Sequence, residues 1–259
     1  MPDIRDIYNN DWMVQLREKL IRSLVPRKKV KSRGIMFTLS VETWLNYYRW
    51  HSFEDKEPET LDWLDSHLKS GDTFFDVGSN VGVYSIYAAL KHPNINVISI
   101  EPEYSNLHCL KENILKNNLI GRVFPWSMAF GDRNEPSSLF VQDLSPGAAA
   151  HTISKDKIDT TKEGYPVLWK EGVAVFKLDT FCKETNFYPN CMKIDVDGNE
   201  YQVLLGGQTI FSSDFFRSLI VEMDKDSLEY LKCQEQLLQY GLRFLSRGYD
   251  NEYEIWVRD

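Results

Sequence analysis

No CxxC pair occurs among the four cysteines Cys109, Cys182, Cys191 and Cys233, so their wide spacing offers neither a zinc knuckle nor a redox dithiol. Reduced thiols in a cytoplasmic protein fit that pattern. Long apolar runs are missing as well: no stretch approaches the roughly 20 residues of a membrane span. The segment MPDIRDIYNNDW lacks the basic-then-apolar order of a secretion signal. Nor is there an excess of positive charge. Thirty Lys and Arg against 38 Asp and Glu leave a net charge of −8, which argues against nucleic acid as the main partner, since phosphate contacts need clustered Lys and Arg. Internal repeats and low-complexity tracts are absent, and 42% hydrophobic with 26% charged residues describe an ordinary folding chain. At 259 residues it has room for one α/β domain plus an extension, not for two large independent cores.

What is present alternates. Residues 1–70 read as an N-terminal helical extension. Met13, Leu16, Leu20, Ile21 and Leu24 recur at helical spacing over Trp12 to Leu24, and Pro26 ends the pattern. The basic run Arg27, Lys28, Lys29, Lys31 and Arg33 reads as a solvated segment, and the aromatics Trp44, Tyr47, Tyr48 and Trp50 as packing of the extension on the core. A helix over Thr60–Leu68 closes the extension at Ser70-Gly71-Asp72. Residues 71–259 read as the main domain. Its strands fall at Thr73–Val77, Asn96–Ile100, Arg122–Phe130, Cys191–Val196 and Ser218–Glu222, with helices at Val83–Lys91, Ser105–Asn117, Glu200–Leu205 and Ser227–Tyr240. Short apolar strands alternating with amphipathic helices predict a mostly parallel sheet with helices on both faces. Phe244–Ser246 and Glu254–Val257, joined by the polar RGYDNEY, predict a terminal antiparallel pair, and residues 132–178, rich in Gly, Pro, Ser and Ala, a loop and hairpin insertion.

Chemistry concentrates at the predicted strand ends. In FFDVGSNVGVYS a strand delivers Asp76, two glycines at 78 and 82 permit a tight turn, and a helix follows. The spacing is not GxGxxG, because Asn80 and Val83 stand where the dinucleotide fingerprint needs glycine, which disfavours a nicotinamide oxidoreductase. A helix N-terminus there still suits a carboxylate, with Asp76 available to an ammonium. About two dozen residues on, Glu101 ends the second strand, where an acid can accept both hydroxyls of a ribose. Farther along, MKIDVDGNEYQ places Lys193, Asp195 and Asp197 around the fourth strand's end, with Asp197 and Glu200 either capping the next helix or facing the site. Asp195, Asp197 and Glu222 would suit a hard divalent cation, but no metal is expected. His151, in the small-residue loop SPGAAAH that could fold over the pocket, and Asp195 are the candidate proton acceptors. The rigid strand end favours Asp195 over the loop histidine.

These pieces together resemble the FkbM-type methyltransferase family over roughly Glu57 to Gly241. The carrying motifs are EPETL at Glu57, DVGSNVGVYS at Asp76, EPEYSNLHCLKEN at Glu101, MAFGD at Met128, KLDT at Lys177, KIDVDGNEYQVLLGG at Lys193 and IVE at Ile220. Ser79 stands where alanine is usual in that family, and Asp197-Gly198-Asn199 where Glu-Gly-Ala is commoner. The resemblance implies a class I methyltransferase (Rossmann-like) fold with S-adenosyl-L-methionine as methyl donor. It implies O-methylation of a small-molecule or glycan acceptor such as a sugar, glycolipid or polyketide. The donor would be held by Asp76, Gly78, Asn80, Gly82, Glu101, Pro102, Ala129 and Asp195. The alternatives are a nicotinamide-dependent oxidoreductase and a cofactor-binding partner subunit without transfer activity.

Overall fold

The computed structural model describes residues 12–154, 167–249 and 252–258. What was expected of residues 1–11, of 155–166 in the insertion and of Asp250 and Asn251 in the terminal turn lies outside them. The first elements are α1 (Trp12–Leu24), β1 (Arg27–Ser32), β2 (Ile35–Ser40), α2 (Trp44–His51), α3 (Pro58–His67), β3 (Thr73–Val77), α4 (Val83–Lys91), β4 (Asn96–Ile100), α5 (Tyr104–Lys116) and β5 (Val123–Trp126). They are followed by β6 (Ala129–Phe130), β7 (Glu135–Val141), β8 (Thr152–Ser154), β9 (Trp169–Phe176), α6 (Leu178–Thr185) and β10 (Cys191–Ile194). The chain continues through α7 (Glu200–Gly206), α8 (Gln208–Phe211), β11 (Ser218–Glu222), α9 (Tyr230–Gln239), β12 (Arg243–Arg247) and β13 (Tyr253–Val257).

Seven strands form the central sheet in the order β12-β13-β11-β10-β3-β4-β5, and only β13 runs against the rest. It is the mostly parallel class I methyltransferase arrangement, with the last strand inserted one place from the edge. Alternation along each strand feeds two cores. Phe74, Val97 and Cys191 pack with α3, α4 and β2 on one face, while their neighbours Phe75, Ile98 and Met192 pack with α6, α7 and α9 on the other. Strands covered on both faces need apolar residues at every position, which is why TFFDV and CMKI carry no solvent-side alternation. Truncating a ring such as Phe75, buried against Phe130 and Phe181, would cost about 3–5 kcal/mol.

The chain lays β4 and β5 to one side of β3 and β10 and β11 to the other. The resulting crevice at the strands' carboxyl ends is where open α/β sheets take ligands.

Two expectations need correction. The basic run at 27–33 is not a bare solvated segment: it forms β1 of an antiparallel hairpin with β2. Its partner strand is held to α5, where the Asn113 and Asn117 side chains accept from the backbone N–H groups of Ser40 and Thr38 at 2.9 and 2.8 Å. The expected strand at Arg122–Phe130 is two strands in two sheets, since β5 ends the central sheet and β6 joins a small sheet of order β6-β9-β7-β8. The insertion supplies β7, β8 and β9 of that small sheet. After β9 the KLDT segment starts a helix, α6, whose Phe181 and Cys182 join the core.

Candidate functional site

The turn between β3 and α4 is built from three left-handed residues, Gly78 (φ 80°), Asn80 (φ 50°) and Gly82 (φ 80°). Only glycine fits at 78: a Cβ there would lie 1.7 Å from the Asp195 carbonyl oxygen. This contact brings the ends of β3 and β10 together. At Gly82 a Cβ would meet Leu110 of α5 at 2.1 Å, so this glycine serves helix packing and does not line the cavity. The N–H groups of Gly78 and Ser79 both donate to the Ile100 carbonyl at 3.0 Å, tying the turn to β4.

Beside this turn an inner cavity of about 160 Å³ is lined by Gly78, Asn80, Glu101, Pro102, Ala129, His151 and Asp195. Seven of the nine residues singled out from the sequence therefore share one wall. Asp76 is the other exception. It is buried behind the turn, where its Oδ2 accepts from Ser85 Oγ at 2.5 Å, and burial raises its pKa. Lys193 neighbours it in register on β10, so Asp76 balances charge from behind the wall.

Glu101 carries both oxygens into hydrogen bonds, Oε2 accepting from the Asn80 N–H at 2.8 Å and Oε1 from the Glu103 N–H at 2.9 Å. Burial nevertheless lifts its pKa to about 7. Each carboxylate oxygen keeps a second lone pair, so two ligand hydroxyls can still be accepted.

A buried charge cluster, unforeseen as a unit, occupies the β10 side. Lys193 Nζ lies 2.5 Å from Asp195 Oδ2 and 3.8 Å from Glu57 Oε2, over the rings of Tyr84 and Tyr253. The Tyr253 hydroxyl donates to Asp195 Oδ2 at 2.9 Å. Burial works against the Asp195 charge, but Lys193 and a hydrogen bond from the Glu222 carboxyl outweigh it and hold Asp195 well below the usual carboxylate range. Glu222 moves the other way, pushed up to about 10 by burial and by the neighbouring Asp195 charge. Lys193 was the available signal: a lysine inside an apolar four-residue strand must find an anion.

The SPGAAAH loop lies over this wall. Asn80 Nδ2 and Asn106 Nδ2 donate to the Ala148 carbonyl at 2.6 and 3.0 Å, Arg49 Nε of α2 to the Gly147 carbonyl at 2.9 Å, and the Ala150 N–H to Asp197 Oδ2 at 2.8 Å. Asp197 thus secures the loop and does not cap α7, whereas Glu200 accepts from the Gly198 N–H at 3.1 Å within the preceding turn. His151 is buried at 9% exposure, and neither ring nitrogen has a partner. Burial lowers its pKa from 6.5, so the ring is neutral near pH 7. A neutral imidazole has one N–H, and burying it unpaired costs about 1–3 kcal/mol.

An outer cavity of about 740 Å³ opens beside the first and shares Asp197 and Glu222 with it. Among the described residues no three His, Cys, Asp or Glu side chains form a group suited to a metal ion, and no helix is long and apolar enough to cross a membrane.

Residues 76–249 match the model of the methyltransferase FkbM domain. The 31-O-demethyl-FK506 methyltransferase FkbM of Streptomyces tacrolimicus is 27% identical over 157 residues, covering 54% of this chain and 60% of that protein. The chain thus matches less than two thirds of that relative's length. Among solved structures, a precorrin-6y C5,15-methyltransferase from Geobacter metallireducens (14% identity, 78% of this chain and 86% of that one) gives a TM-score of 0.47. Aeropyrum pernix fibrillarin with natively bound S-adenosyl-L-methionine (11% identity, 89% and 81%) gives 0.47 as well. Likeness this distant says nothing about the reaction or the acceptor. The family match spans the β3 turn, Glu101 and, of the β10 cluster, Tyr84, Lys193, Asp195 and Glu222, and the chain belongs to the FkbM methyltransferase family, whose methyl donor is S-adenosyl-L-methionine.

Proposed function

We propose that this protein methylates a hydroxyl of a small-molecule or glycan acceptor, with the donor in the inner cavity and the acceptor entering from the outer one. The observation that carries the reading is His151, buried on the inner wall with both ring nitrogens unpartnered. A buried polar group left unsatisfied in the free protein is explained when the ligand completes it. The Streptomyces relative, named for an O-demethyl substrate, supports oxygen as the methylated atom.

The wall fits the donor in its chemistry. Glu101 would take the ribose hydroxyls, the Gly78–Asn80 turn and the α4 N-terminus the methionine carboxylate, and Pro102 and Ala129 the apolar edge of the base. At about 160 Å³ the cavity is tighter than the roughly 300–1,000 Å³ usual for ligand pockets, so donor entry displaces the 145–151 loop or opens the wall shared with the outer cavity. When bound, the donor supplies an electrophilic methyl on a sulfonium centre.

The remaining work falls to the chain. His151, neutral and unengaged, accepts the hydroxyl proton as it is released. Asp195, ionised and already accepting from Lys193 and Tyr253, is a weak base and acts by fixing Glu222 at the junction of the two cavities. The loop anchored on Asn80, Asn106, Arg49 and Asp197 excludes water while the reacting groups are held in line.

The test is transfer of labelled methyl from the donor to a panel of hydroxylated glycans and small molecules. Product with the label on oxygen, lost in His151→Ala, is the expected result. Tight donor binding with no acceptor methylated would favour the partner-subunit alternative, and binding of NAD(H) in place of S-adenosyl-L-methionine would favour the oxidoreductase.

A further inference from the structure

Outside the site, α1 stands out. Trp12, Leu16, Leu20 and Leu24 recur every four residues along it with Met13 alongside, and each is more than half exposed. Such spacing places them on one apolar stripe. The stripe sits in the basic part of an acidic protein. From Trp12 to Arg33 the sequence holds eight Lys and Arg and one acidic residue, a charge of +7, while the total of −8 leaves −15 on everything else. Arg33 is engaged by Glu54, Asp62 and Asp65, but Lys28, Lys29 and Lys31 of β1 are exposed. Lys29 and Lys31 share the strand face opposite the buried Val30. The hairpin carrying them is anchored to the core through α5, so the lysines are held in fixed positions.

We propose that α1 and β1 form a docking element for an anionic lipid surface. The apolar stripe of α1 enters the boundary between headgroups and acyl chains, and the β1 lysines meet the lipid phosphates. Charge decides among the partners an exposed apolar helix can have. Two copies of a +7 segment repel each other, and nucleic acid would leave the apolar stripe without a use. An anionic bilayer answers both features at once, as interfacial helices with Trp and Leu on one face and Lys and Arg on the other do. The element lies on the membrane and does not span it, consistent with helices too short and polar to cross one. The inference is independent of the acceptor's identity.

Cosedimentation of the full chain with vesicles tests it, using phosphatidylglycerol mixed with phosphatidylcholine and phosphatidylcholine alone. The protein is expected to bind the mixed vesicles, at least tenfold more weakly the neutral ones, and less at high salt. Leu16→Asp with Leu20→Asp should weaken binding to mixed vesicles more than tenfold. Lys29→Gln and Lys31→Gln together should weaken it about twenty-five-fold, from roughly fivefold per surface lysine. Melting temperature and donor affinity should stay unchanged in both variants. No binding to mixed vesicles, or undiminished binding by both variants, overturns the proposal. So does a dimer in sedimentation velocity that Leu16→Asp with Leu20→Asp dissociates while vesicles go unbound.

Discussion

Replacing Glu101 by glutamine keeps the side chain's shape and removes its charge. The carboxylate accepts the N–H groups of Asn80 and Glu103 at 2.8 and 2.9 Å, and its remaining lone pairs are what two ribose hydroxyls would use. Glutamine turns one of the two acceptors into a donor and sets it against a backbone N–H. Hydrogen bonds to a charged group are worth about 1.5–3 kcal/mol, which corresponds to a loss of roughly tenfold to 150-fold in donor affinity. The pH dependence sharpens the test. With its pKa raised to about 7 by burial, Glu101 contributes stability to the free protein below its unfolded pKa and loses it as pH rises through about 7. Ribose hydroxyls stabilise the ionised form, so donor affinity should rise with pH through that range, with a proton released on binding. Calorimetric titration with S-adenosyl-L-methionine at about pH 6 and about pH 8 reads both effects, and circular dichroism checks the fold. An unchanged dissociation constant in a folded Glu101→Gln protein, or a pH slope equal to the wild type's, would refute the assignment.

His151→Ala should lower turnover by about 10²-fold or more at saturating donor and acceptor and remove an acid limb lying below pH 6.5 from the rate profile, with donor affinity retained. Asp195→Asn should also lower turnover but leave that limb in place; loss of the limb in Asp195→Asn alone would return the base role to Asp195. EDTA should leave activity intact, because methyl transfer from a sulfonium needs no Lewis acid, and activity dependent on added Mg or Mn would sink this expectation. Lys193→Met leaves the partly buried Asp195 without its paired cation and the buried Glu57 with Lys56 alone, so thermal melting should show a loss of up to about 3–5 kcal/mol; a melting temperature within a degree or so of wild type would mean that the cluster is not held by charge.

The central sheet was legible because strands buried on both faces are continuous apolar runs and their helices repeat at 3.6 residues. Thr73–Val77, Asn96–Ile100, Val83–Lys91 and Ser218–Glu222 fall where the pattern puts them. Failures came where tertiary contacts override local pattern. RKKVKS reads as a charged linker because only Val30 and Ser32 turn inward, and what makes it a strand is β2 packed on α5, some 80 residues away in sequence. Ser127-Met128 interrupts an apolar stretch too briefly for periodicity to register, yet there the chain leaves one sheet for another. At the site, the turn and Glu101 were readable as residues with special backbone or charge requirements. Asp76 and Gly82 belong to the same motif but serve its support, a distinction that depends on Ser85 and Leu110. Asp195 was ranked above His151 because a strand end is rigid and a loop is mobile. The proposed function reverses that ranking, because the loop is held by Asn80, Asn106, Arg49 and Asp197 and the carboxylate is filled by its neighbours.

The position of β13 carries a consequence for synthesis. Residues 253–257 slot between β11 and β12, and among the described residues β12 pairs with no other strand; the same strand brings the Tyr253 hydroxyl onto Asp195. A growing chain that has already made the β3 turn, Glu101 and the β10 carboxylates therefore still exposes the raw edge of β11, an invitation to mispairing between nascent chains. It also lacks one of the donors that hold Asp195 in place. Between emergence of β11 and of β13 the sheet is nearly complete but its β11 edge is still uncovered, and a ribosome stalled in that interval would display it.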